Sequence, residues 1–454
     1  MYAKRPLAVF GRENGLFSEH KRAPLNAHTH HPTTTVNAPW KARLLTFLMV
    51  MGPGLIVMEA DNDAGAVSTY IQAGAQYGTH LLWVLLLLLP ICYFVQEMAA
   101  RLGVATGQGH AAMIYKRFGK FWGAFSLFDL QLVNFLTLVT EFAAISLVAD
   151  KIGVSPMIAL PVSAAGLISL VLTGSYLRWE RIVIGLCLMD VLWFVLSAIA
   201  GPHWGMVAHD TVIPSIPHGG ITASLVFLVI AVVGTTIAPW QLFFQQSCVA
   251  DKKLRISDLK WARLDTLIGA IFTIFVAGAM MLTGNAAYQH GIAFDNPAQM
   301  ASALVPHLGV FFKNTLLLMM MNAAVLGTTT ISLSSAWAYG EVKGWPHSLH
   351  KGFKEAPGFY TIYSLCIFAA AGLVLIPHAP LQLIIVGVQV LAGLMLPSAI
   401  IFLQLLLNDR ELLGNDLSNK PWNNWVNWII IVVLFALSAV LALQVAMPNM
   451  FPAS

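Results

Sequence analysis

The chain has 454 residues, 57% of them hydrophobic and only 10% charged, with a formal net charge of +4. A soluble domain carries about a quarter charged residues, so a water-soluble globular protein is excluded, and no nucleic-acid partner is expected. Apolar runs of about twenty residues recur along the whole length, the pattern of a polytopic α-helical membrane protein embedded in lipid.

Residues 1–44 are polar, basic and Pro-containing, without an apolar core of signal-peptide type, and are expected to form a disordered cytoplasmic tail. Its tract "HTHH", 28–31, is read as incidental rather than metal-handling. Eleven hydrophobic spans follow, near 46–75, 80–100, 121–149, 156–176, 181–201, 221–248, 264–285, 310–336, 358–377, 381–407 and 426–447. Cys92, Cys187, Cys248 and Cys366 are widely separated in or beside apolar segments, with no CxxC, and read as packing residues.

With the N-terminus placed in the cytoplasm, the inside segments hold 23 of the 25 Lys and Arg, and the outside segments only Lys151 and Lys313. That asymmetry sets the N-terminus inside and the C-terminus outside. Trp422, Trp425 and Trp428 before the last span fit an interfacial aromatic belt.

Helix breakers recur at an odd interval. The first span breaks around Asp63-Ala64-Gly65, and the sixth around "VGTTIAPWQ", 233–241, with Gly234 and Pro239. Five spans from one broken helix to the next place the second unit upside down, the signature of an inverted-repeat transporter with its site at the midplane. The expected organisation is a tail (1–44), a first five-helix repeat (45–201), a second, inverted repeat (220–407), and a loop with the eleventh helix (408–454).

The stretch "GPGLIVMEADNDAGAVSTYIQAG", 52–74, sets Glu59, Asp61 and Asp63 inside a membrane span. An intramembrane charge costs about 2.5–3.5 kcal/mol on insertion scales and reads as functional by default. On an intact helix Glu59 and Asp63, four apart, would share a face, with Asp61 pointing elsewhere. Unwinding at Gly65 would free backbone carbonyls, and carboxylates with bare carbonyls suit a hard cation.

This stretch, continued through "AQYGTHLLWV", resembles the first two spans of the Nramp (natural resistance-associated macrophage protein) divalent-metal transporters. The resemblance extends through "RLGVATGQG", 101–109, "GTTIAPWQLFFQQS", 234–247, and "VGVQVLAGLMLP", 386–397. It implies an all-α integral membrane protein of the LeuT type, with broken helices 1 and 6, moving metal by alternating access. The family's Asp-Pro-Gly-Asn falls on Asp63, Ala64, Gly65 and Ala66, so the aspartate survives and the asparagine ligand is gone. The family's sixth-span Met falls on Ala238 and its His on Trp240; a further His position falls on Gln245. The paired acids of the third span fall on Leu138 and Glu141, so one is missing.

A thioether helps a site choose Mn²⁺ and Fe²⁺ over Mg²⁺ and Ca²⁺, so Ala238 removes that preference. Asp63, with Glu59 or Asp61, the carbonyls near Ala60 and Thr235, and the Gln389 amide, suits a partly hydrated Mg²⁺. These departures resemble the branch described as Nramp-related magnesium transporters. The resemblance implies Mg²⁺, with Mn²⁺, as transported substrate, no permanently bound cofactor, and a monomer sufficient for transport in a bacterial inner membrane. Trp240 and Leu138 cannot titrate, whereas Glu141, Glu97, Asp129 and Asp190 remain; weak or absent proton coupling is expected. The alternatives are a proton-coupled Mn²⁺/Fe²⁺ importer with rearranged ligands and a Na⁺-coupled amino-acid carrier. The latter draws on "GTTTISLSS", 327–335, whose hydroxyls otherwise bond carbonyls a turn back. An enzyme is not expected: no HExxH metal site or Ser-His pairing is present.

Overall fold

The computed structural model describes residues 40–446 apart from 173, 218, 219, 377 and 378, so the tail 1–39 with its His tract lies outside the described residues. Among the described residues the regular structure is helical. The first helices are α1 (Trp40–Val50), α2 (Pro53–Ala60), α3 (Ala64–Tyr77), α4 (Leu82–Thr106), α5 (His110–Lys151) and α6 (Pro156–Val171). Next come α7 (Tyr176–Met189), α8 (Leu192–Ile199), α9 (Trp204–Val212), α10 (Ala223–Thr236), α11 (Pro239–Asp251) and α12 (Leu259–Gln289). The last are α13 (Pro297–Ala303), α14 (Val305–Lys343), α15 (Pro357–Val374), α16 (Leu381–Leu407), α17 (Arg410–Leu417) and α18 (Pro421–Ala446).

Sequence punctuation sets these boundaries. Pro53, Pro156, Pro239, Pro297 and Pro357 stand in first turns, where the missing N–H has no intrahelical partner to lose. Ser155, Thr222 and Asn296 accept from first-turn amides as N-caps. Gly119 in α5 (φ 87) and Gly309 in α14 (φ 82) adopt left-handed backbone and turn both helices sharply. The long straight sections that follow begin where the spans at 121 and 310 are expected.

Among the described residues, nine helical segments are long and apolar enough to cross a membrane, α4, α5, α7 with α8, α10 with α11, α12 with its preceding turn, α14, α15, α16 and α18, and a tenth if the end of α1 and α2, bent by 48°, count as one span. Two expected spans fall outside that set. Helix α6 has 16 residues. The first span is divided into α2 and α3, of 8 and 14 residues, around the acids. Helices α2, α3 and α4 pack on α12, α5 on α14, and α10 on α16, so the interrupted helices lie inside the bundle.

The start of α2 is tied down by polar groups from distant sequence. Asp265 of α12, fully buried, accepts from Gly54 N at 2.7 Å, Leu55 N at 3.2 Å and Gly52 N at 3.3 Å. It therefore supplies the cap that Gly52 lacks. Beside it, Lys252 Nζ bonds Glu180 Oε1 at 2.6 Å and Met51 O at 2.7 Å. Asp265→Ala leaves these amides without their carboxylate and should cost about 2 kcal/mol, from a lost cap and unsatisfied buried donors. A fall of several degrees in the unfolding midpoint of the detergent-solubilised protein, only partly restored in Asp265→Asn because its NH2 cannot accept from the amides, is the expected result.

Candidate functional site

The first interruption runs from Asp61 to Asp63. Asp63 has extended backbone (φ −65, ψ 179), and its Oδ1 accepts from Ala66 N at 2.9 Å, capping α3. Glu141 of α5 reaches the same end: its Oε2 accepts from Ala64 N at 3.1 Å. Two carboxylates thus serve one helix N-terminus, whose partial positive charge favours them. Gly327 of α14 admits the arrangement, since a Cβ there would press on both Glu141 and Asp63.

The second interruption, Ile237-Ala238, is extended backbone between α10 and α11. The two interruptions meet. Gln241, in the first turn of α11, donates to Asp61 Oδ1, and Gln96 of α4 donates to Gln241 Oε1 at 2.6 Å. Tyr70 of α3 bonds Thr236 of α10 at 2.7 Å between hydroxyls. Gln389 of α16 touches both interrupted helices. A Cβ on Gly65 would collide with its Nε2, and one on Gly234 with its backbone oxygen.

The structure distributes the candidate residues unevenly. Asp63, Gly65, Glu141 and Gln389 gather at the first break. Asp61 faces Gln241, while Glu59 turns to Thr273, whose Oγ1 donates at 2.7 Å. The three acids of one short stretch therefore address three different neighbours. Ala60, Ala66 and Ala238 are buried small residues at the two breaks. The Thr235 hydroxyl, Gln389 Nε2 and Trp240 Nε1 are buried without a hydrogen-bond partner. The Trp240 ring packs edge-on against Phe244. Among the described residues, no three His, Cys, Asp or Glu side chains gather as a metal-holding group; any cation here must draw on neutral oxygens as well.

Other acids are committed elsewhere. Glu97 bonds Arg101 and Arg263 at 3.1 and 2.8 Å, and Asp129 accepts from Ser398 at 2.5 Å. In 327–335, Thr330 bonds back to Leu326 O, while Ser334 donates to Trp240 O and Ser335 meets Asn134. Sequence reading missed Gln241, Gln96 and Tyr70, which line up on Asp61 and Thr236; their one signal is polarity inside apolar spans. A cavity of about 510 Å³ lies toward the C-terminal end of α3, lined by Gln72, Phe227, Asp295, Gln382 and Val386 among others. Gln382 Nε2 bonds Gln72 Oε1 at 3.0 Å there.

Two interrupted helices facing each other inside a helical bundle define a membrane transporter architecture of the LeuT type. Residues 54–444 match the Natural resistance-associated macrophage protein-like family, and the chain belongs to it. Similar proteins include "Divalent metal cation transporter MntH" of Mesorhizobium japonicum, 25% identical over 407 residues, with 83% of this chain and 84% of that one covered. The protein of that name from Caldanaerobacter subterraneus subsp. tengcongensis is 28% identical over 285 residues, covering 59% of this chain and 65% of its own length. The fold matches that of the Eremococcus coleocola manganese transporter, with a TM-score of 0.77 at 20% identity over 91% of this chain and 89% of the other. It also matches MhsT in complex with L-phenylalanine, with a TM-score of 0.57 at 13% identity over 87% and 98%.

The two glycines should respond differently to a methyl group. At Gly65 the obstacle is the end of a flexible side chain, which can swing away; at Gly234 it is backbone. Gly65→Ala should fold with a stability change under about 1 kcal/mol, whereas Gly234→Ala should lose about 1–3 kcal/mol by overpacking. Thermal unfolding monitored by size exclusion in detergent gives the order; equal losses would contradict it.

Proposed function

We propose that the chain carries divalent metal cations across a membrane by alternating access, and that Mg²⁺ as well as Mn²⁺ is its cargo. Family membership and the relatives named divalent metal cation transporters support the first half. What supports the second is the kind of polar group standing without a partner beside the facing breaks. In this reading the donors are the Asp63 carboxylate, the Thr235 hydroxyl and the Gln389 amide, the last two buried without a partner, and carbonyls near Ala60, with no sulfur at Ala238. A half-turn of the Gln389 amide exchanges its nitrogen and oxygen at nearly the same point. Such hard, mostly neutral oxygens suit an ion that keeps some of its waters. Asp61 adjoins this set through Gln241.

In this reading the N-terminus is cytoplasmic and the membrane is the bacterial plasma membrane. The halves 45–201 and 220–407 are inverted five-helix repeats, the full count is eleven spans, and one copy suffices for transport. Voltage drives the ion: a divalent cation gains about 4.6 kcal/mol per 100 mV. Trp240, Gln245 and Leu138 leave the route without titratable groups at those positions, so transport runs without proton coupling. A rival reading, a proton-coupled Mn²⁺/Fe²⁺ importer, draws on Glu141, an acid in contact with the α3 terminus.

Reconstituted vesicles test these points. Asp63→Ala should lower saturable uptake at least tenfold while the protein still purifies as a single species; unchanged half-saturation would remove Asp63 from the site. Millimolar Mg²⁺ should compete with Mn²⁺ and be taken up itself, and Mg²⁺ that neither moves nor competes sinks the hard-site reading. A pH dye in the lumen should report no acidification beyond protein-free vesicles, while an inside-negative potential speeds uptake. Stoichiometric acidification that vanishes in Glu141→Gln would establish the rival.

A further inference from the structure

The ends of three membrane-length helices, α4, α12 and α18, share a pocket of about 280 Å³ that neither interruption uses. Glu97 and Arg101 in the last turns of α4, Arg263 in the second turn of α12, and Lys420, the residue before α18, line it. Its charges are unevenly matched. Glu97 Oε1 meets both guanidiniums, Arg101 Nε at 3.1 Å and Arg263 Nε at 2.8 Å. Arg101 directs its other donors at the chain before α18: Nη1 bonds Leu417 O at 2.9 Å and Nη2 bonds Asn419 Oδ1 at 2.8 Å. The Arg263 side chain is 45% exposed, and among the described residues its two terminal nitrogens meet no acceptor. The exposed Lys420 ammonium has no ion-pair partner there either. With exposed Asp416 as the second acid on the wall, three cations stand against two acids.

The rest of the lining is aromatic. Tyr93 and Phe94 stand a turn or more from Glu97 and Arg101, where the apolar run of α4 ends. Trp422, in the first turn of α18, sets its ring edge-on against Phe94 at 5.7 Å. Farther along α18, Trp425 and Trp428 border an adjoining hollow of about 380 Å³. The pocket is therefore graded, from unpartnered cationic donors to aromatic rings that lead onto the lipid-facing side of α18. An occupant must be anionic, with oxygens that accept from a guanidinium fork. It must also carry apolar matter to cover the rings, which a free phosphate lacks. Basic pockets between membrane helices hold anionic lipid headgroups by this combination. We propose that this pocket binds an anionic membrane phospholipid. Its phosphodiester lies at Arg263 and Lys420, and its glycerol and chains lie over Trp422, Trp425 and Trp428. A zwitterionic phospholipid brings its own ammonium beside the phosphate and gains less from the surplus cations. A bound lipid steadies the start of α12, from which Asp265 caps α2.

The test uses delipidated full-length protein in neutral detergent. It is titrated with phosphatidylglycerol, with phosphatidylcholine of the same chains, or with inorganic phosphate. The unfolding midpoint is followed, and lipid retained per chain is counted by native mass spectrometry. Phosphatidylglycerol should raise the midpoint by several degrees and the other two should not. A cation beside an anionic lipid contributes about fivefold in affinity, so Arg263→Gln with Lys420→Gln should weaken phosphatidylglycerol binding by about 25-fold. Both side chains are at least half-exposed or nearly so, and the pair Arg101–Glu97 is left intact, so the variant folds. Arg263→Lys, which keeps the charge, should retain most of the affinity. Lys120→Gln with Lys260→Gln removes two charges from exposed positions outside the pocket and should leave binding within about twofold. Equal shifts from phosphatidylglycerol and phosphatidylcholine, or equal weakening by the two double variants, overturn the proposal. So does a shift that inorganic phosphate alone reproduces, which would make the pocket a soluble-anion site.

Discussion

A helix interrupted inside a membrane leaves backbone N–H and C=O groups that lipid cannot satisfy. Much of this protein's interior answers that constraint. The α3 amides at the first break go to Asp63 and Glu141, and the amides at the α2 start go to Asp265. The acids that look out of place in an apolar span are therefore partly the means by which that span can be broken at all. In the proposed function the cation meets this same break, so the Asp63 carboxylate that caps α3 is also the one assigned to binding.

The divergence of Glu59, Asp61 and Asp63 gives α2 and its C-terminal turn an unusual set of attachments. Glu59 holds α12 through Thr273, Asp61 holds α11 through Gln241, and the Asp63 turn holds α5 through Glu141. None of these bonds is a Lys or Arg ion pair, whereas the start of α2 is held by Lys252 and Glu180 as well as Asp265. The polar chemistry is thus graded along one short helix, charged pairing at one end and carboxylate–neutral bonds at the other.

Much of the architecture was legible because lipid imposes few choices. Apolar runs of the right length and helix-breaking residues beside both interruptions follow from the bilayer. The breaks were placed to within a few residues: the first opens at Asp61-Asn62-Asp63, ahead of the expected Asp63-Ala64-Gly65, with Gly65 inside α3, and the second at Ile237-Ala238, between Gly234 and Pro239. The direction of each acid could not be placed. Helical periodicity put Glu59 and Asp63 on one face, but the turn at Asp61-Asn62 rotates Asp63 away, and periodicity has no meaning across a break. Asp265, Gln241 and Gln96 were overlooked because their roles depend on partners far along the chain. Gln241 and Asp61, for example, are separated by 180 positions.

Gln389 carries a mechanical implication. Its amide abuts Gly65 of one broken helix and its carbonyl abuts Gly234 of the other. Helix α16, continuous through that level, is therefore geared to both pivots at a single residue. A rotation at Gly234 meets the α16 backbone directly, whereas one at Gly65 meets only the end of a flexible side chain, so the same rod presents a hard contact to one broken helix and a soft one to the other.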